Sequence, residues 1–229
     1  MKATLEASKA SLLGARIWRR LLRNRGAMIG LCLIMLMLSL ALAAPILAPH
    51  DPNQQFSGNR LASPSTQFLL GTDNLSRDLL SRLLYGARPS IGSALIATLL
   101  IIVIGVFVGA WSGYVGGWVD EVLMRIVDTL LALPSLLWAL AIVGMLGQGM
   151  VNIIIGAVGV WWAGYARLVR GLALELRQRP FSQAAVALGL SRWQILLRHI
   201  IPNLISSVIV LASLEMGTLI LIIAGLSFL

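Results

Sequence analysis

Between Ala27 and Ala48 the chain runs AMIGLCLIMLMLSLALAAPILA without one charged side chain. At about 1.5 Å per residue such a helix covers the roughly 30 Å hydrocarbon core of a bilayer. The stretch is longer than the apolar part of a cleaved signal peptide, and Pro45 and Pro49 make a poor cleavage context, so it reads as a retained span. Four further apolar runs follow, at about 91–111, 134–150, 151–166 and 204–224, the middle two separated only by Gly147-Gln148-Gly149, which reads as a tight hairpin. The runs are continuous rather than alternating, which excludes a membrane barrel and predicts an all-α integral membrane protein with five transmembrane helices. Composition agrees: 58% of the residues are hydrophobic and 12% charged, against roughly a quarter charged in a soluble domain. A soluble globular fold, a disordered tail and a disulfide scaffold are excluded, and the single cysteine, Cys32, lies inside the first run as a small hydrophobe.

Eighteen lysines and arginines against nine acids give a net charge of +9, an excess that in a soluble chain would suggest nucleic acid. Here its distribution decides. Seven cations precede the first span, Arg125 lies between spans two and three, and Arg167, Arg170, Arg177, Arg179, Arg192 and Arg198 lie between spans four and five. The remaining connection holds Arg60, Arg77, Arg82 and Arg88, offset by Asp51, Asp73 and Asp78. An inside N-terminus places fourteen cations in the cytoplasm and four outside, as the positive-inside rule requires. The charge is a topology signal, and the expected partner is the lipid bilayer, not nucleic acid. The reading divides the chain into a basic cytoplasmic segment at 1–26, a first transmembrane helix at 27–48, an extracytoplasmic loop at 49–90, and a membrane core at 91–229 with a cytoplasmic loop at 177–203.

Three connections are patterned. In Leu70–Arg88, the residues Leu75, Leu79, Leu80, Leu83 and Leu84 share one face of an expected amphipathic helix, with Asp73–Arg77 and Asp78–Arg82 as i,i+4 pairs, Gly86 as its stop and Pro89 as the start of span two. These four charged residues are candidates for docking something outside, against the plainer reading of a helix lying on the membrane surface. In Gly113–Ser135, Trp118, Val122, Ile126 and Val127 form another stripe, with Glu121 and Arg125 as the expected pair and Pro134 resetting the chain. In Arg177–Asn203, Pro180 suits a first helical turn, Gly189 a left-handed closure, and Ser191 with Gln194 a capping box opening a second short helix, Trp193–His199. Two short helices joined by a glycine make a compact cytoplasmic knob suited to a groove on a soluble partner.

Gln183-Ala184-Ala185, Gly189 and Ile201-Pro202 keep the spacing of the EAA loop, E-A-A-x3-G-x9-I-x-L-P, of ABC-importer permeases. Gln183 stands in place of Glu, His199 of Ile and Ile201 of Leu. Leu70 to Arg82 resembles the L-G-T-D-x-x-G-R-D-x-x-S-R motif of the dipeptide, oligopeptide and nickel permeases, with Ser76 where Gly is usual. The stretch from Gly113 to Asp128 and the closing Leu226–Leu229 resemble the same family. The resemblance implies a non-enzymatic permease subunit of the bacterial inner membrane. It would pair with a second permease, two ABC ATPases and an external binding protein. It would bind no cofactor itself, ATP and Mg being used by the ATPase. Gln183, Ala184, Ala185, Leu188, Gly189, Ser191, His199 and Pro202 would form the ATPase-coupling loop. Five spans leave Leu229 outside, where members of the family continue with a glycine-rich stretch and a sixth span.

Peptide-type members resemble one another in a Glu at the position of Ile223, whereas Trp161–Gly171 is similar to the nickel-type and metal-chelate members. The expected cargo is therefore a metal complex, with a dipeptide or oligopeptide as the alternative. His50 and His199 are expected to be structural, and no metal-ligand set is proposed. Glu215 is a lone carboxylate inside the fifth run, expected to face the bundle interior or water, either as a pathway-lining group or as a hydrogen-bond partner of a neighbouring helix or partner subunit. An intramembrane hydrolase built on Ser213 or Ser227 lacks a histidine inside any span, and no G-x4-G-K-[ST] loop is present to hydrolyse ATP. A secondary transporter remains a remote alternative that would not require the knob.

Overall fold

The computed structural model describes residues 22–227, so most of the basic segment at 1–26 and the last two residues of the closing motif lie outside the described residues. These residues form helices, with a single isolated bridge between Thr72 and Asp78. The chain divides into two compact units between Pro89 and Ser90.

The first unit opens with α1, Arg25–Leu47, capped by the Asn24 side chain, which accepts a hydrogen bond from the Ala27 amide. Pro45 lies inside α1 and has no N–H, so the Ala41 carbonyl one turn earlier loses its helical donor. Arg88 supplies the replacement: its Nε donates to the Ala41 carbonyl at 2.6 Å and its Nη2 to the Leu42 carbonyl at 2.7 Å. Such substitution is what makes a proline tolerable in a membrane helix.

Helix α2, Leu79–Val115, departs from the expected pattern. No separate amphipathic helix precedes it. Residues 72–78 close into a turn, and one helix of 37 residues runs through Gly86 and Pro89. Asp73 captures the Leu75 and Arg77 amides and so diverts the chain from helix, and Asp78 then caps the helix through the Ser81 amide. At about 55 Å, α2 exceeds the hydrocarbon thickness.

In the second unit α2 is followed by α3 (Gly117–Leu131), α4 (Ser135–Leu146), α5 (Met150–Arg177), α6 (Pro180–Ala187) and α7 (Arg192–Leu226). Gly105, Gly109 and Gly113 place a bare stripe of α2 on the backbone of α5; a Cβ at Gly109 would stand 2.3 Å from the Ala166 carbonyl oxygen. Small residues at this spacing are how membrane helices approach closely without a hydrophobic driving force. Ile101, Tyr165, Val169, Ile195, Ile200 and Leu204 belong to the core joining α2, α5 and α7.

The expected third span is corrected. Helix α4 has 12 residues, about 18 Å, too short to cross alone. It forms with α3 a pair bent by 86°. The described residues hold four helices long and apolar enough to cross a membrane, or five spans when the bent pair counts as one. The Gly147–Gly149 hairpin forms as read, and Asn152 caps it by donating to the carbonyls of Leu146 and Gly147.

The paired acids in α3 also differ from expectation. Asp120, not Glu121, takes a bidentate bond from Arg170 of α5, at 2.5 and 2.6 Å, and accepts from the Ser112 hydroxyl of α2; Asp128 pairs with Arg167. Val127 turns inward while Trp118, Val122 and Ile126 stay exposed, so the proposed stripe is split between two faces.

Candidate functional site

The knob forms where the spacing places it. Pro180 opens α6, its missing N–H falling where no helical bond is needed. The helix ends in a Schellman closure: Gly189 at φ +78° lets its amide reach the Val186 carbonyl and the Leu190 amide reach the Ala185 carbonyl. Two residues on, the Ser191 hydroxyl accepts from the Gln194 amide while the Gln194 side chain accepts from the Ser191 amide. Ser182 and Ala185 face inward, and Gln183, Ala184, Val186 and Leu188 face outward, Leu188 at 81% exposure. The inner face anchors the helix, and the outer face leaves apolar side chains exposed.

The second short helix is not separate. Arg192 begins α7 directly, and the helix continues past Pro202 through a π-turn at Leu196–Ile200. Pro202 has no N–H for the ladder; the Ile201 amide reaches back to Leu196, and the Asn203 side chain donates to the His199 carbonyl at 2.6 Å. His199, half-buried, contributes its carbonyl to this repair. The knob is thus α6, a short turn at 188–191 and the first turns of a span, with no break between those turns and the rest of α7.

Of the four docking candidates Asp73, Arg77, Asp78 and Arg82, the structure gathers three. The Asp73 carboxylate accepts from the Leu75 and Arg77 amides at 2.8 and 2.9 Å, from Arg77 Nε at 2.8 Å, and from the Arg82 guanidinium. Burial pushes the Asp73 carboxyl up, but the Arg77 amide and side chain and the Leu75 amide outweigh it and hold the group at about 2. The expected Asp78–Arg82 pair is absent. Asp78 is fully buried, accepts from the Ser81 amide and hydroxyl at 2.9 and 2.5 Å, and lies 3.8 Å from His50 Nδ1. His50 in turn packs on Phe56 and Phe68. Ser76 adopts φ +60°, the conformation that explains a glycine at this position of the resembled motif.

Glu215, half-buried in α7, lies beside the hydroxyl of Tyr165 on α5. Tyr165 is 2% exposed and its hydroxyl has no hydrogen-bond partner within range. Sequence reading found the carboxylate and missed the tyrosine, which carries no local signal. The glycine stripe at 105, 109 and 113 was readable as a small-xxx-small pattern.

Residues 105–229 match the family described as the binding-protein-dependent transport system inner membrane component, and residues 12–64 match the N-terminal transmembrane domain of oligopeptide transport permease C. A glutathione transport system permease protein of Pectobacterium atrosepticum is 38% identical over 93% of this chain and 71% of its own length. Its counterpart in Escherichia coli O157:H7 is 40% identical over 93% and 70%. A nickel transport system permease protein of Escherichia coli K12 is 38% identical over 88% and 73%.

Proposed function

The chain belongs to the family of binding-protein-dependent inner-membrane transport components, the ABC importer permeases of the peptide and nickel type, and we propose that α6 and the head of α7 are its ATPase-coupling element. It is a multi-pass bacterial inner-membrane protein and not an enzyme; ATP is hydrolysed by a separate ATPase, and an external binding protein delivers the solute.

The continuity of the knob with α7 carries the proposal. An ATPase groove closing on Gln183, Ala184 and Leu188 moves α6, and the Schellman closure and capping box pass that motion to α7 and so to Glu215. Glu215 and Tyr165 line the path as its polar step. The N-terminus is cytoplasmic, which puts 49–78 outside, where Arg77 and Arg82 help dock the binding protein. A second permease completes the path, and ATP with Mg stays on the ATPase. The cargo is a metal chelate, nickel complexes foremost, a reading supported by the nickel permease relative and by Trp161–Gly171. The glutathione relatives favour a second reading, a small peptide.

Affinity purification from native membranes tests the coupling: the wild type captures an ABC ATPase and a second permease, and Gly189→Pro loses the ATPase. Capture of no ATPase by folded wild-type protein overturns it. Uptake of labelled nickel–chelator complex and labelled glutathione by cells with and without the gene separates the cargoes.

A further inference from the structure

Between α6 and the adjoining ends of α2, α5 and α7 lies a cavity of about 610 Å³ whose two arginines, Arg177 and Arg192, the coupling role does not use. Tyr114 from the end of α2, Arg177 from the end of α5, Ser182 and Gln183 from α6, and Ser191 and Arg192 from the start of α7 supply its polar wall. Every one of these side chains can donate a hydrogen bond, and none carries negative charge. Both guanidinium groups act electrostatically on the Tyr114 hydroxyl, and neither forms an ion pair among the described residues. The acid usual at position 183 of the resembled loop is Gln183 here, so nothing in the wall offsets the two positive charges.

Paired arginine forks with hydroxyl and amide donors are the chemistry of phosphate recognition. The depth of the cavity points the same way. Trp111 lies one turn before Tyr114, Trp193 follows Arg192, and the two indole rings meet edge to face at 5.0 Å with Phe107 beside them. Clustered tryptophans mark the membrane–water interface, the level of lipid headgroups. The orientation proposed above makes this the cytoplasmic leaflet, where anionic lipids collect.

The geometry points to a binding site for a phosphate-bearing anion, held between Arg177 and Arg192 at the root of the knob. An occupant bridges α6 to α2, α5 and α7 and so stiffens the element that transmits the ATPase stroke.

The test uses the purified full chain in detergent, with native mass spectrometry reading retained phosphatidylglycerol against phosphatidylcholine, and phosphorus NMR reading inorganic phosphate. Wild type retains phosphatidylglycerol selectively; Arg177→Gln and Arg192→Gln each weaken retention about tenfold, Arg177→Lys restores part of it, and Arg179→Gln, outside the cavity wall, leaves it unchanged. Phosphate binding without lipid selectivity identifies a soluble phosphate as the source and supports the same site. Equal retention of the two lipids together with no phosphate binding overturns the proposal, as does selectivity that survives in the folded double variant combining Arg177→Gln with Arg192→Gln. Loss of ATPase capture in that double variant with anion binding intact overturns it in favour of a protein carboxylate. Because anion binding is read without the ATPase, it fails or succeeds independently of the coupling reading.

Discussion

The 49–78 loop and the 178–191 segment are both connections at the end of a long helix, and they are held differently. The loop is fixed by side chains: Asp73 gathers two amides and two guanidinium groups, Asp78 caps α2, and the Thr72 hydroxyl accepts from Ala62 and donates to the Asn59 carbonyl. The knob is fixed at its turn, through a glycine-dependent backbone closure and the Ser191–Gln194 cap. Its outward apolar side chains are left exposed, Leu188 most of all. In the loop the charged groups are spent on internal bonds, while the knob, closed at its turn, leaves its outer surface exposed. The loop should therefore be sensitive to single side-chain changes and the knob to changes at its turn.

Asp73→Ala is the hardest test of that contrast. It leaves the Arg77 and Arg82 charges and two amides without their acceptor, at a cost of about 3 kcal/mol. Hydrogen exchange should rise across 49–78 and stay unchanged across 178–191; a rise in both breaks the comparison. Acid should do the same more gradually. With its folded value at about 2 against an ordinary 3.8, Asp73 stabilises the loop fully above about pH 4, and the contribution is lost as pH falls toward 2. Exchange from 49–78 in Asp73→Asn should show no such step. In the knob, Gly189→Ala meets open space but keeps φ at +78°, costing about 1–2 kcal/mol. Exchange at 186–191 should quicken and ATPase capture weaken, with 49–78 unaffected. The smallest effect has the opposite sign: Ser76→Gly relieves a positive φ and should raise the thermal midpoint, a gain of about 1 kcal/mol or less.

How much was legible follows the range of the interactions. The knob was read closely because Pro180, Gly189, Ser191 and Gln194 act within a few residues of one another. The loop was misread because spacing alone pairs Asp78 with Arg82, whereas Arg82 reaches back nine residues to Asp73. Apolar content could not separate the 12-residue α4 from a full span, because burial against neighbours looks like lipid exposure in sequence. Arg88 on the α1 carbonyls and Asp120 with Arg170 join positions 46 to 50 residues apart, which no local pattern reports.

Cysteine accessibility and crosslinking in native membranes, in a Cys32→Ser background, test the central claim most directly. The account predicts that Leu188→Cys crosslinks to the ATPase and escapes an impermeant maleimide added from outside, while Leu75→Cys is labelled from outside and does not crosslink. Outside labelling of Leu188→Cys, or its failure to reach the ATPase in an assembled and active importer, would contradict the assignment of α6 as the coupling element.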